Sequence, residues 1–167
     1  MFKQMSYSAV GMNKGAAFHQ RGYKDCINIL VMKTSDSLRY GLIKSVMALH
    51  QEKDAADAAI NLWERTATQI ISIVGEGGFN SLYARSVHLG KSEFPWLAGA
   101  SLLLQSDSRF AELKKSFEGQ TPAQVNEAHN LLMITFTDIL ASIIGEQLTL
   151  SILRSAWDND ASNRSLN

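Results

Sequence analysis

Cysteine is nearly missing from this chain: Cys26 is the only one in 167 residues. No disulfide can form within the chain, and a reducing compartment is the expected setting. Proline is almost as scarce, with Pro95 and Pro122 alone. Both stand ahead of apolar-periodic stretches. A helix accepts proline at its first position because that N–H would go unpaired there anyway. An excess of either charge is missing too, since Lys plus Arg and Asp plus Glu both number 16. With no global field and no run of basic residues, neither nucleic acid nor an anionic membrane is an expected partner. Long apolar runs are also lacking. Ile27 to Met32 is interrupted by Asn28, and Leu102 to Leu104 is shorter still, whereas a bilayer span needs roughly 20 residues. The N-terminus has no signal-peptide h-region of the usual length. The expected location is therefore the cytoplasm.

What is present reads as one globular, all-α domain. Hydrophobic residues make up 46% and charged residues 19%, enough apolar material for a single core in a chain of this length. After residue 35 no alternating strand-like pattern stands out, and no Asn-Gly or Asp-Gly hairpin turn occurs. The expected architecture is a helical bundle of five to six helices over residues 34–158. Residues 1–33 lack a sustained period and are expected to form an irregular N-terminal extension. Residues 159–167 are polar and read as a disordered tail.

Within the bundle, Ser35-Asp36-Ser37 offers N-cap oxygens to a first helix carrying Leu38, Leu42, Ile43, Val46 and Met47. A second helix starts near Asp54 with the stripe Ala59, Ile60, Trp63, Ala67, Ile70, Ile71 and Val74. Gly75-Glu76-Gly77-Gly78 is expected to interrupt it, and a third helix follows with Phe79, Leu82, Tyr83 and Val87. Phe94-Pro95-Trp96 opens a short apolar segment. Asp107-Ser108 is expected to cap a modest helix with Phe110, Leu113 and Phe117, ended by Gly119. Thr121-Pro122-Ala123-Gln124 is the sharpest signal: Thr at N-cap, Pro at N1 and Gln at N3 form a capping box. The long helix behind it runs to Gly145, and a last helix carries Leu148, Ile152, Leu153, Ala156 and Trp157.

Two stretches echo each other. Ile70-Ile71-Ser72-Ile73-Val74-Gly75-Glu76 parallels Leu140-Ala141-Ser142-Ile143-Ile144-Gly145-Glu146 at a spacing of 70 residues. Either this is an internal duplication packed about a pseudo-twofold axis, or apolar helices have converged on common residues. In both copies glycine frees the backbone at the break, and the glutamate after it can sit in the first turn of the next helix.

Chemical motifs are sparse. The histidines His19, His50, His88 and His129 show no E-x-x-H or H-E-x-x-H spacing and no cysteine partners, so no metal site is expected. No cofactor is expected either. Gly90-Lys91-Ser92 has Arg85 where a P-loop needs its upstream glycine. The segment Ala84-Arg85-Ser86-Val87-His88-Leu89-Gly90-Lys91-Ser92 is similar to the phosphorylated segment of histidine phosphotransfer domains, with Gly90 and Lys91 in the opposite order. The resemblance implies a phosphoacceptor role for His88 on a four-helix bundle.

A second constellation is Trp63, Glu64, Arg65, Glu76, Phe79, Tyr83, Arg85, Phe94 and Trp96. Aromatic residues and arginine are favoured at binding hot spots, although the aromatic stripes equally suit a core. Arg85 is expected to seek Glu76 or Glu64. The leading functional expectation is a non-enzymatic cytoplasmic signalling or protein-interaction domain acting through helix packing, with a protein partner or itself as a homodimer. The alternatives are phosphotransfer through His88, or a small-ligand sensor with an apolar pocket lined by Phe79, Tyr83, Trp96 and Phe136.

Overall fold

Thr121 starts the helix that carries much of the core. In the computed structural model the Gln124 N–H donates to Thr121 Oγ1 at 3.3 Å, and the Thr121 N–H donates to Gln124 Oε1 at 3.0 Å. The capping box forms as expected, with Pro122 as the first helical residue. The structure describes residues 37–48, 54–101 and 109–158, all within the compact unit Ser35–Asn167. Among these residues there are six helices and no strand. They are α1 (residues 37–48), α2 (Ala55–Gly90), a 3-10 helix (Pro95–Ser101), α3 (Ala111–Phe117), α4 (Pro122–Ile144) and α5 (Glu146–Trp157). The expected extension over 1–33, the tail over 159–167, and the caps at Ser35-Asp36 and Asp107-Ser108 lie outside the described residues.

The interruption expected within Gly75–Gly78 is present, narrowed to a single residue. Only Gly75 leaves helical geometry, and the helix resumes at once through Gly77 and Gly78 to Gly90. A single residue with positive φ redirects the chain, and the next N–H groups can restart the ladder immediately. One local expectation needs correction: the helix after residue 110 starts with Phe110 as its N-cap residue, and no side chain caps it. Burial of the Phe110 ring, 1% exposed, anchors this turn instead.

α2 packs chiefly on α4, and also on α5, the 3-10 helix and α3; α4 packs on α5. The seam is aromatic. Trp63 meets Tyr83 at 5.3 Å, Phe136 at 5.4 Å and Phe110 at 5.9 Å between ring centroids. Each such pair contributes about 0.5–1.5 kcal/mol beyond its buried area. The Trp157 Nε1–H donates to Thr66 Oγ1 at 3.1 Å and ties the end of α5 to the middle of α2. α4, with 23 residues, is long and apolar enough to cross a membrane by length and composition. Its apolar face, including Leu132, Met133, Phe136 and Leu140, is spent inside this core.

The 70-residue echo extends well beyond the two Gly-Glu breaks. Ile43 and Leu113, Leu62 and Leu132, Ile70 and Leu140, and Tyr83 and Leu153 each stand at that spacing, and all are at most 1% exposed. Gly75 (φ 76°, ψ 167°) and Gly145 (φ 92°, ψ 150°) share one backbone conformation, which is open essentially to glycine alone. The repeating unit is thus a short helix, a long helix, a glycine break and a further helix. It runs through α1 and α2 in one copy and through α3, α4 and α5 in the other.

Candidate functional site

Glu146 sits in the first turn of α5, as expected, and arginines hold the glutamates after both breaks. Arg39, on α1, donates from Nε to Glu146 Oε1 at 2.8 Å. Its Nη1 donates to Asp138 Oδ1 at 2.6 Å and to Thr137 Oγ1 at 2.8 Å. Arg39 is 1% exposed. Burial alone would pull its pKa down, but the hydrogen bonds to Glu146 and Asp138 outweigh that and hold it above the usual arginine value. The Tyr40 hydroxyl also donates to Asp138, at 3.0 Å.

Arg109 stands 70 residues after Arg39. It reaches back to the other break, pairing through Nη1 with Glu76 and, at 3.5 Å, with Asn80 Oδ1. Its guanidinium lies over the Phe79 ring at 5.7 Å. The hydrogen bond from Arg109 holds the Glu76 carboxyl below the ordinary carboxylate value. The first copy's arginine therefore binds the second copy's glutamate, and the second copy's arginine binds the first copy's glutamate. Reciprocal exchange of this kind is what a pseudo-twofold relation between the copies requires.

The two breaks differ in closure. The Arg39 side chain is 2% exposed, against 30% for the Arg109 side chain and 58% for that of Glu76. Beside Arg109 lies a groove of about 360 Å³, lined by Glu64, Ala67, Thr68, Ile71, Glu76, Arg109 and Phe110. Among the described residues five large apolar side chains are exposed, and three of them adjoin the Arg39 break in sequence. Leu38 (56%) adjoins Arg39, and Ile143 (65%) and Leu148 (48%) flank Gly145-Glu146. Ile73 (48%) holds the place of Ile143 at the other break.

The residues singled out from the sequence fall into three groups. Trp63, Phe79 and Tyr83 are 0% exposed. They belong to the core and present no surface to a partner. Phe94 and Trp96 are half-buried, 5.5 Å apart, and Trp96 packs on Phe117 at 6.0 Å. Phe79 packs on Tyr83 at 6.3 Å and on Phe136 at 5.3 Å, and Phe94 and Trp96 pack against the outside of the same core. Arg65 is half-buried on α2.

Arg85 does not sit among apolar neighbours and does not meet Glu76 or Glu64. It is exposed on α2, and Arg109 occupies Glu76. His88 is exposed near the end of α2, whereas His129 is buried against Trp63 at 6.3 Å. Among the described residues no group of three His, Cys, Asp or Glu side chains is placed to hold a metal ion.

Arg39, Asp138 and Arg109 were not among the expected residues. Carrying the repeat backwards from Ile70 and Leu140 finds the two arginines: Arg39-Tyr40 and Arg109-Phe110 match at the same offset, as do Lys44 and Lys114, whereas Asp138 falls opposite Thr68. No protein-family model, curated protein or solved structure matches this chain.

Proposed function

We propose that this chain is a non-enzymatic protein-interaction domain of a cytoplasmic signalling type, and that it self-associates through the surface around the α4–α5 break. The observation that carries this reading is the exposure of Leu38, Ile143 and Leu148 around Glu146. That glutamate is itself locked to a buried arginine. Solvent-facing apolar side chains gathered on a rigid frame are the usual material of an interface. The frame is rigid because Arg39 bonds α1 to both α4 and α5. A second copy suits the surface because the formal net charge is zero, so no net repulsion opposes pairing. A twofold pairing would bring each patch onto its own counterpart.

Sedimentation equilibrium tests this reading. The wild type should fit a monomer–dimer equilibrium, and Ile143→Glu/Leu148→Glu should fit a folded monomer with unchanged helix content by circular dichroism, because both positions face solvent. A wild type that stays monomeric at every concentration sampled, or a variant that dimerises equally, would remove self-association at this surface.

A second reading rests on the exposure of His88 on α2. An accessible imidazole on a rigid helix is what a phosphoacceptor needs. Phosphoramidate treatment should then leave an acid-labile adduct that is absent from His88→Gln. An adduct of equal yield in both proteins, or none in either, would eliminate it.

A further inference from the structure

The pseudo-equivalent breaks allow one arginine site to be compared with another inside the same molecule. At the closed break, Arg39 donates to Thr137 Oγ1, Asp138 Oδ1 and Glu146 Oε1. At the open break the corresponding positions, 70 residues earlier, hold Ala67, Thr68 and Glu76. Ala67 has no acceptor, and Thr68 has no charge and donates its hydroxyl to the Glu64 carbonyl at 2.9 Å. Arg109 retains Glu76 and Asn80, both on Nη1. Among the described residues, its Nε and Nη2 have no acceptor. This is the edge of the guanidinium fork that takes a carboxylate in bidentate fashion. The space that Thr137 and Asp138 fill in the other copy is here part of the groove of about 360 Å³.

The remaining lining defines the occupant. Half-buried Ile71 is the accessible part of an apolar wall that Ala67 and Phe110, 2% and 1% exposed, back from the core. Glu64 and Glu76 bring two carboxylates against one guanidinium. A simple anion would meet a site already negative on balance, and a simple cation would leave the open edge of Arg109 unused. A molecule carrying both a carboxylate and an ammonium matches the charges, and an apolar side chain matches the wall. A few placed polar groups on a largely apolar, preformed concavity are the common pattern of small-molecule sites. We propose that the groove at the Gly75 break binds a free α-amino acid with an apolar side chain. Its carboxylate lies on Arg109 Nε and Nη2, its ammonium beside Glu64 and Glu76, and its side chain on Ile71. This site is separate from the surface around Ile143 and Leu148, so either assignment can fail alone.

The test uses the full chain and chemical-shift titrations with L-leucine, L-methionine and L-phenylalanine as probes. At least one should give saturable shifts at the amides of residues 64–80 and 109–113. With leucine as the example, removing the carboxylate (leucinamide) or the ammonium (4-methylpentanoate) should weaken binding by roughly tenfold or more, since each deletes a charge-assisted contact. Arg109→Gln should weaken it similarly. Ala67→Thr/Thr68→Asp, which installs the acceptors of the closed copy, should abolish binding while the protein stays folded by circular dichroism. The proposal is overturned if none of the three amino acids gives saturable shifts. It is equally overturned if leucinamide or 4-methylpentanoate binds as well as the amino acid, or if Arg109→Gln or the Ala67→Thr/Thr68→Asp variant binds like the wild type.

Discussion

Arg39 donates from Nε to Glu146 Oε1 at 2.8 Å although 107 residues of chain separate them. That contact closes the α4–α5 break, and it has a counterpart in Arg109 and Glu76. One pair is enclosed and the other faces solvent. They therefore predict different energetics for chemically similar substitutions.

Arg39→Met should be strongly destabilising, by about 3–5 kcal/mol, because it leaves Glu146, whose side chain is 14% exposed, without its buried cation. Arg109→Gln should move the denaturation midpoint far less, because an exposed pair is well screened by water. Urea unfolding followed by circular dichroism reads both. Equal losses in the two variants would mean that the breaks do not differ in closure.

Gly75→Ala and Gly145→Ala should each cost about 1–3 kcal/mol, since both positions need a φ and ψ that an L side chain rarely adopts. Open space surrounds a Cβ at either position, so the penalty is backbone strain without a clash. Gly77→Ala should have the opposite sign. Gly77 is helical and its Cβ would also meet nothing, so alanine should stabilise by about 0.5–1 kcal/mol. Thermal melts of the three variants decide this. A neutral Gly75→Ala would argue against the break.

Glu76 should titrate below its ordinary value of 4.5, through its hydrogen bond with Arg109. A carboxylate whose folded pKa is depressed stabilises the fold above its unfolded pKa. That contribution disappears as pH falls through the folded value. The difference in stability between wild type and Glu76→Gln should therefore be present at neutral pH and vanish in acid. Carbon-detected titration should find the Glu76 midpoint below 4.5 in the wild type and restored upward in Arg109→Gln. An unshifted midpoint in both would show that the pair does not form in solution.

Tyr83 is 0% exposed and its hydroxyl has no hydrogen-bond partner among the described residues. Burial pushes its pKa well above the usual phenol value. Tyr83→Phe removes a desolvated hydroxyl and keeps the ring that packs on Trp63 and Phe110. It should stabilise the protein by about 1 kcal/mol. A loss of that size would reveal a bond to the hydroxyl in solution.

Helix content was readable from the chain because its signals are local. The capping box at Thr121, the apolar periods and the glycine breaks each act within a few residues. The break expected at Gly75–Gly78 is made by Gly75 alone, because a single residue with positive φ is enough to bend a helix. Trp63, Phe79 and Tyr83 sit on apolar stripes that mark core and hot spot alike, and only packing separates the two. The arginines escaped because each finds its partner across the fold. Arg39 has Asp36 three residues before it in the sequence, a local partner that makes it look like an ordinary surface charge. Only the repeat, extended to Arg109, marks it as structural.

Hydrogen exchange measured at low and high protein concentration tests the interaction reading most directly, because it locates any contact between copies. Raising the concentration should slow exchange in residues 143–151 and around Leu38 and leave the Arg109 groove unchanged. Exchange that is independent of concentration, or slowed only at other faces, would contradict self-association at the α4–α5 break.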